Sequence, residues 1–188
     1  MTLDIRSSQR LRHSYYNVSK VKLVSPIEKE FLFMFVNDLL PVRARLHSQN
    51  DKTCRRFSFN NVKCNFIENR QHFFSNCLEI NDCFIIIKDI IEQFLQIKIL
   101  NKQIFALSFM VSNKLRSSFA AWFIIKCFFY VYTLSETCSK TILEHMKNEI
   151  DFVLINVDLG SKKKSCFQEL RMEVDIQLQY LNYDSWLI

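Results

Sequence analysis

One glycine, Gly160, serves a chain of 188 residues, and only Pro26 and Pro41 join it as backbone punctuation. Ordinary usage would put glycine alone at about 7%. A Walker-type phosphate loop needs two glycines, a dinucleotide fingerprint three and a nucleophile elbow two, because a Cβ would forbid the backbone conformation or the close approach. None of these can be built here. Gly160-Ser161-Lys162-Lys163-Lys164-Ser165 shares only the tail of a phosphate loop: its first glycine is absent, and strand-like alternation follows it. A solvated loop with basic gatekeepers is the better reading.

With hydrophobic residues at 49% and 18 Phe, the chain has ample core material for one globular domain. Residues 1–24 read as a basic N-terminal arm, and 25–188 as the domain. The formal net charge is +6. Thirteen Lys/Arg oppose six Asp/Glu through Arg70, and twelve oppose thirteen beyond it, so the excess lies in the first 70 residues. Such asymmetry suits an acidic partner or a solvated basic face.

Seven cysteines, an odd number with no C-x-x-C pair, follow an N-terminus that lacks an apolar signal segment. Free, buried thiols in a reducing intracellular compartment, cytoplasm or nucleus, are expected. The Arg- and Ser-rich start leaves mitochondrial import as an alternative.

The clearest helix start is Ser25-Pro26-Ile27-Glu28, a capping box with proline at its first position, and the helix is expected to run toward Pro41. Phe84, Ile87, Ile91, Phe94 and Leu95 mark a second helix. Ile142, Leu143, Met146, Ile150 and Val153 mark a third, capped by Ser135 or Ser139.

Strand signals fill the remainder. Phe57, Phe59, Val62, Cys64 and Phe66 alternate about Asn60-Asn61, an expected tight turn, and Ile97 to Phe109 reads as a hairpin about Asn101-Lys102. Trp122 to Tyr132 is β-branched or aromatic almost throughout and reads as a buried strand. Leu170, Met172, Val174, Ile176, Leu178 and Tyr180 alternate without a break with polar residues, the strongest strand pattern present. The preceding Val153–Leu159 run would pair with it across the Gly160 loop. The expected fold is therefore α+β, antiparallel hairpins packed with two or three helices, with a mainly α fold as the alternative.

His47, Cys54, Cys64, His72, Cys77 and Cys83 are potential metal ligands in a short span. Zinc knuckles place two ligands two to four residues apart, and these spacings do not match, so unpaired core cysteines are expected and no metal or other cofactor. His145 and Glu149, one helical turn apart, suit a surface hydrogen bond. No arrangement identifies a catalytic group, and the chain is not expected to be an enzyme.

The reading that fits best is a non-catalytic protein-interaction or scaffold subunit, with a protein partner or a second copy covering surplus apolar surface. An alternative is nucleic-acid binding through the basic N-terminal third and the lysine loop, with Arg6, Arg10, Arg12, Arg43, Arg45, Arg55, Arg56, Lys162, Lys163 and Lys164 as contacts. A membrane role for 119–134 is disfavoured by Lys126 near its middle, which costs about 2.5–3.5 kcal/mol in a span. A chain without a selected function would show the same residue bias.

Overall fold

Ser25 begins the first described helix as its neighbours dictate. In the computed structural model, which describes residues 23–43, 46, 50–56, 63–133 and 138–184, the Ser25 Oγ accepts the Glu28 N–H at 3.3 Å. Glu28 Oε2 in turn accepts the Ser25 N–H at 2.7 Å. Helix α1 (Pro26–Val36) follows, with proline at its start. It ends four residues before Leu40, where Asp38 takes a positive φ of 55°.

The expected α+β fold does not form. The chain is all-α: among the described residues there is no strand, and β pairing is confined to isolated bridges such as Thr53–Ile67. After α1 come a π-turn (His72–Asn76), α2 (Leu78–Leu95), short α3 (Asn101–Phe105), α4 (Lys114–Thr133), α5 (Ser139–Asn156) and α6 (Ser161–Asp184). The expected second and third helices are both present, as α2 and α5. The α5 stripe Ile142, Leu143, Met146, Ile150 and Val153 is buried throughout, although the chain enters the helix at Cys138 without a side-chain cap. Ser135 lies outside the described residues.

Each misplaced strand has a physical reason. Helix α4 replaces the strand expected over Trp122–Tyr132 because Phe119 to Phe128 is buried on every side of the helix. A helix enclosed all round has no polar face, so its sequence carries no 3.6-residue period. Helix α4 packs against α1, α2, α5 and α6, and is the centre of the fold. No helix is long and apolar enough to cross a membrane among the described residues.

Helix α6 replaces the strongest expected strand. Residues two apart on a helix lie about 200° apart, so a period-two pattern divides into two opposite stripes. Leu170, Val174 and Leu178 form the buried stripe, and Met172, Ile176 and Tyr180 the exposed one. Val153–Leu159 does not pair with α6 as a strand, since α5 continues to Asn156. The hairpin expected over Ile97–Phe109 is instead a loop and α3, where Gln103 Oε1 accepts the Leu100 N–H at 2.8 Å and turns the chain.

Gly160 makes no tight turn. Its φ is not positive, nothing lies within 4 Å of a Cβ built on it, and its carbonyl accepts the Lys163 and Lys164 amides at the start of α6. Asp38, Gln96 and Leu107 take the positive-φ positions. Asn101 opens α3, and Asn60 and Asn61 lie outside the described residues.

The core is aromatic. Phe74 stacks on Phe128 at 4.8 Å between ring centroids, Phe35 meets both, and Phe105 lies against Phe35, Phe84 and Phe128. Phe167 of α6 meets Phe119 at 4.6 Å and Trp122 at 5.2 Å on α4, each edge to face. Such offset and T-shaped pairs contribute about 0.5–1.5 kcal/mol each beyond the area they bury.

Candidate functional site

The segment ahead of α2 brings chemistry-bearing side chains together. Residues 52–56 and 63–68 run antiparallel, with the Cys54 N–H donating to the Phe66 carbonyl at 2.8 Å and the Cys64 N–H to the Arg56 carbonyl at 3.1 Å. Glu68 locks this ribbon. Its fully buried carboxylate accepts the Arg43 N–H at 3.1 Å, the Arg55 N–H at 3.0 Å and the Arg55 Nη2 at 2.7 Å. Burial alone would raise the Glu68 pKa, but the Arg55 guanidinium and the two backbone amides outweigh it and hold the group below its usual range.

Asn69 then starts the π-turn by accepting the His72 N–H on its side chain at 2.8 Å. The Cys77 N–H closes the turn on the His72 carbonyl at 3.0 Å. Five residues apart on a regular α-helix, His72 and Cys77 would point about 140° away from each other. The wider turn lets both face the ribbon, and π-type insertions are frequent at functional sites for this reason.

Cys54, Cys64, His72 and Cys77 meet there, with their ligand atoms all within 4.8 Å of one another. Cys54 Sγ lies 3.9 Å from Cys77 Sγ, and Cys64 Sγ 3.4 Å from His72 Nε2. Cys54, Cys77 and His72 are buried and Cys64 is half-buried. Burial, with smaller contributions from the Cys77 and Cys64 sulfurs, pushes the Cys54 thiol up to about 12 against the opposing Arg56 backbone N–H that it accepts. Burial and the nearby Arg56 charge lower the His72 pKa, which favours a neutral ring with a lone pair to donate. Such thiols either remain protonated or deprotonate onto a cation.

Four of the six potential ligands in the sequence thus converge, although the cysteines are free, as expected. Cys83 is buried elsewhere, beside Cys127, and His47 lies outside the described residues. The convergence has no knuckle signature because each ligand comes singly from a different point of the ribbon and turn. The alternation Val62, Cys64, Phe66, with a histidine and a cysteine just ahead of a long helix, was the available signal.

A second polar cluster lies inside the bundle. Lys126 Nζ is 2.7 Å from Glu28 Oε1 and 3.0 Å from Glu149 Oε2, and Tyr130 donates its hydroxyl to Glu149 Oε1 at 3.1 Å. Burial and the Glu149 charge raise the Tyr130 pKa. His145 stacks on the Tyr130 ring at 5.0 Å, so His145 and Glu149 meet through Tyr130 and not through the surface hydrogen bond their spacing suggested. This network joins α1, α4 and α5, and offsets the burial of each charge by pairing it.

The expected nucleic-acid contacts are divided. Arg43 donates to Asp51 and to the Thr53 carbonyl, Arg55 is held by Glu68, and Arg56 is buried with its Nη1 on the Phe73 carbonyl at 2.5 Å and its guanidinium 4.1 Å from the Phe73 ring centre. Lys162, Lys163 and Lys164 are exposed on the first turn of α6. Arg6, Arg10, Arg12 and Arg45 lie outside the described residues. The three described arginines are thus engaged inside the protein.

The remaining feature is the outer face of α6. Met172, Ile176 and Tyr180 are 55%, 37% and 63% exposed and fall at i, i+4 and i+8. Gln177 and Gln179 flank the stripe, while Asp175 at its margin is paired with Arg171 and with Lys147 of α5. No family model matches the chain, and no curated protein or solved structure matches it.

Proposed function

We propose that the protein is a non-catalytic scaffold or interaction subunit that assembles through the outer face of α6, with a second copy of the chain as the partner. The second apolar stripe of α6 carries this reading. A helix needs one apolar stripe to dock on its own bundle, and Leu170, Val174 and Leu178 already supply it. Met172, Ile176 and Tyr180 supply another, at the spacing by which one helix anchors in a groove or against a neighbouring helix. Gln179 and the paired Asp175 leave one margin of the face without an unbalanced charge to repel a copy, and the half-buried Glu173 on the other margin would lie at the rim of the contact. Two copies related by a two-fold axis would bury the same stripe on each other.

Sedimentation velocity over a range of concentrations tests this. The wild-type chain is expected to sediment as a dimer, and Met172→Lys with Ile176→Glu as a monomer of unchanged helical circular dichroism. A wild-type monomer at every concentration, or an undiminished dimer in the double variant, would overturn the reading.

A further inference from the structure

We infer that Cys54, Cys64, His72 and Cys77 form a structural zinc site that fastens the ribbon of residues 52–56 and 63–68 and the π-turn to the N-terminus of α2. Zinc in structural sites is held by four tetrahedral ligands, with Zn–S about 2.3 Å and Zn–N about 2.0–2.1 Å. That geometry requires sulfurs about 3.8 Å apart and a sulfur about 3.6 Å from the nitrogen. The Cys54–Cys77 separation of 3.9 Å and the Cys64–His72 separation of 3.4 Å meet both requirements. The other separations in the set stay within 4.8 Å, so one ion can reach all four donors after small side-chain adjustments.

The donor set chooses the metal. Three thiolates and an imidazole are soft or borderline donors, which favour zinc over calcium or magnesium, whose sites are built from oxygen. Four protein ligands close the coordination shell and leave no position for substrate or water, so the ion's role is structural.

The surroundings are independently suited to it. Three thiolates on a divalent cation carry a net charge of about −1. The Arg56 guanidinium lies near enough to His72 to act on its charge, is buried, and has its Nη2 without a hydrogen-bond partner. A buried cation with an unsatisfied donor is costly by itself and is offset by an anionic centre beside it. The Arg56 backbone N–H, directed at Cys54 Sγ, stabilises the thiolate in the same way. The exposed Phe66 ring lies 5.7 Å from that of His72.

This inference is independent of assembly through α6, because its readout is the bound metal. Reduced full-length protein would be prepared with zinc and assayed by elemental analysis, then loaded with Co²⁺ after zinc removal. The expected result is about one zinc per chain, together with the visible absorption of tetrahedral Co²⁺ and a near-ultraviolet thiolate-to-cobalt charge-transfer band. Cys77→Ser and Cys54→Ser should each lower zinc content severalfold, whereas Cys166→Ser, which alters a buried thiol outside the cluster, should retain it. The wild-type cobalt spectrum stands as the test should a ligand variant fail to fold. Protein that binds neither metal, a six-coordinate cobalt spectrum, full zinc content in both ligand variants, or a Cys54–Cys77 disulfide in reduced and metal-supplied protein would overturn the site.

Discussion

Lys126, the single charge in the most apolar stretch of the chain, sits with its Nζ 2.7 Å from Oε1 of Glu28, the same glutamate whose other oxygen caps α1. One carboxylate therefore both starts the first helix and neutralises a cation in the central one. Glu149 completes the pairing from α5. The lysine that argued against a membrane span is the point at which three helices are joined.

Removing the cation alone should be severe. Lys126→Met leaves Glu28 and Glu149 facing each other without their partner, and breaking a buried ion pair in this way costs about 3–5 kcal/mol. Adding Glu28→Gln and Glu149→Gln should restore most of that loss, since a neutral, hydrogen-bonding interior replaces the stranded charges. Urea denaturation of the single and triple variants measures the difference. Further loss in the triple variant would contradict the account.

Glu92 provides a pH-dependent contact at the end of α2. Its Oε1 accepts the Ile99 N–H at 2.8 Å and its Oε2 pairs with Lys98 at 2.7 Å, which holds the loop into α3 against the helix. Burial opposes ionisation, but Lys98 and the Ile99 amide prevail, and the pKa lies below the usual Glu value of 4.5. A carboxylate with a depressed folded-state pKa adds stability above its unfolded value, and that contribution is lost as pH falls through the folded one. Glu92→Gln should thus be less stable than wild type near neutrality, with the gap closing below about pH 4.5. Thermal melts across pH 3–7 would show it, and a constant gap would refute it.

The local signals in the sequence were legible, and the distant ones were not. Ser25 and Glu28 read correctly because a capping box depends on four consecutive residues. The α5 stripe also read correctly because one of its faces is wet. Helix α4 was illegible because Phe119 to Phe128 has no wet face, and α6 misled because its two stripes, Leu170–Val174–Leu178 and Met172–Ile176–Tyr180, interleave with the period of a strand. The Cys54, Cys64, His72 and Cys77 cluster depends on a ribbon and a π-turn whose pairing no local spacing records.

Gly160 is open to improvement. It precedes Ser161 with nothing near a would-be Cβ and a φ that other residues can adopt. The first turn of α6 carries Lys162, Lys163 and Lys164, cations at the positive end of the helix dipole. Gly160→Asp would supply an acceptor for the first amides and a compensating charge, a gain of about 0.5 kcal/mol. Thermal denaturation should show a higher midpoint than wild type that declines with added salt. An unchanged or lower midpoint would mean that the helix does not start as described.

Metal removal should act locally before it acts globally. The four ligands lie between residues 54 and 77, whereas Phe119, Trp122 and Phe167 pack α4 on α6 and Ile142 to Ile150 pack α5 without any of them. Regions held by separate contacts open separately, so chelation should release the ribbon while the helical bundle persists. Hydrogen exchange with and without a zinc chelator, under reducing conditions, reads this residue by residue. The amides of Cys54, Cys64 and Glu68, which donate to Phe66, Arg56 and Lys52, should exchange at least about tenfold faster, equivalent to about 1.4 kcal/mol of local stability. The amides of Ile142 to Ile150 should change far less. Equal acceleration in both regions would show that the zinc site supports the whole fold, and no acceleration in either would show that zinc does not fasten the ribbon.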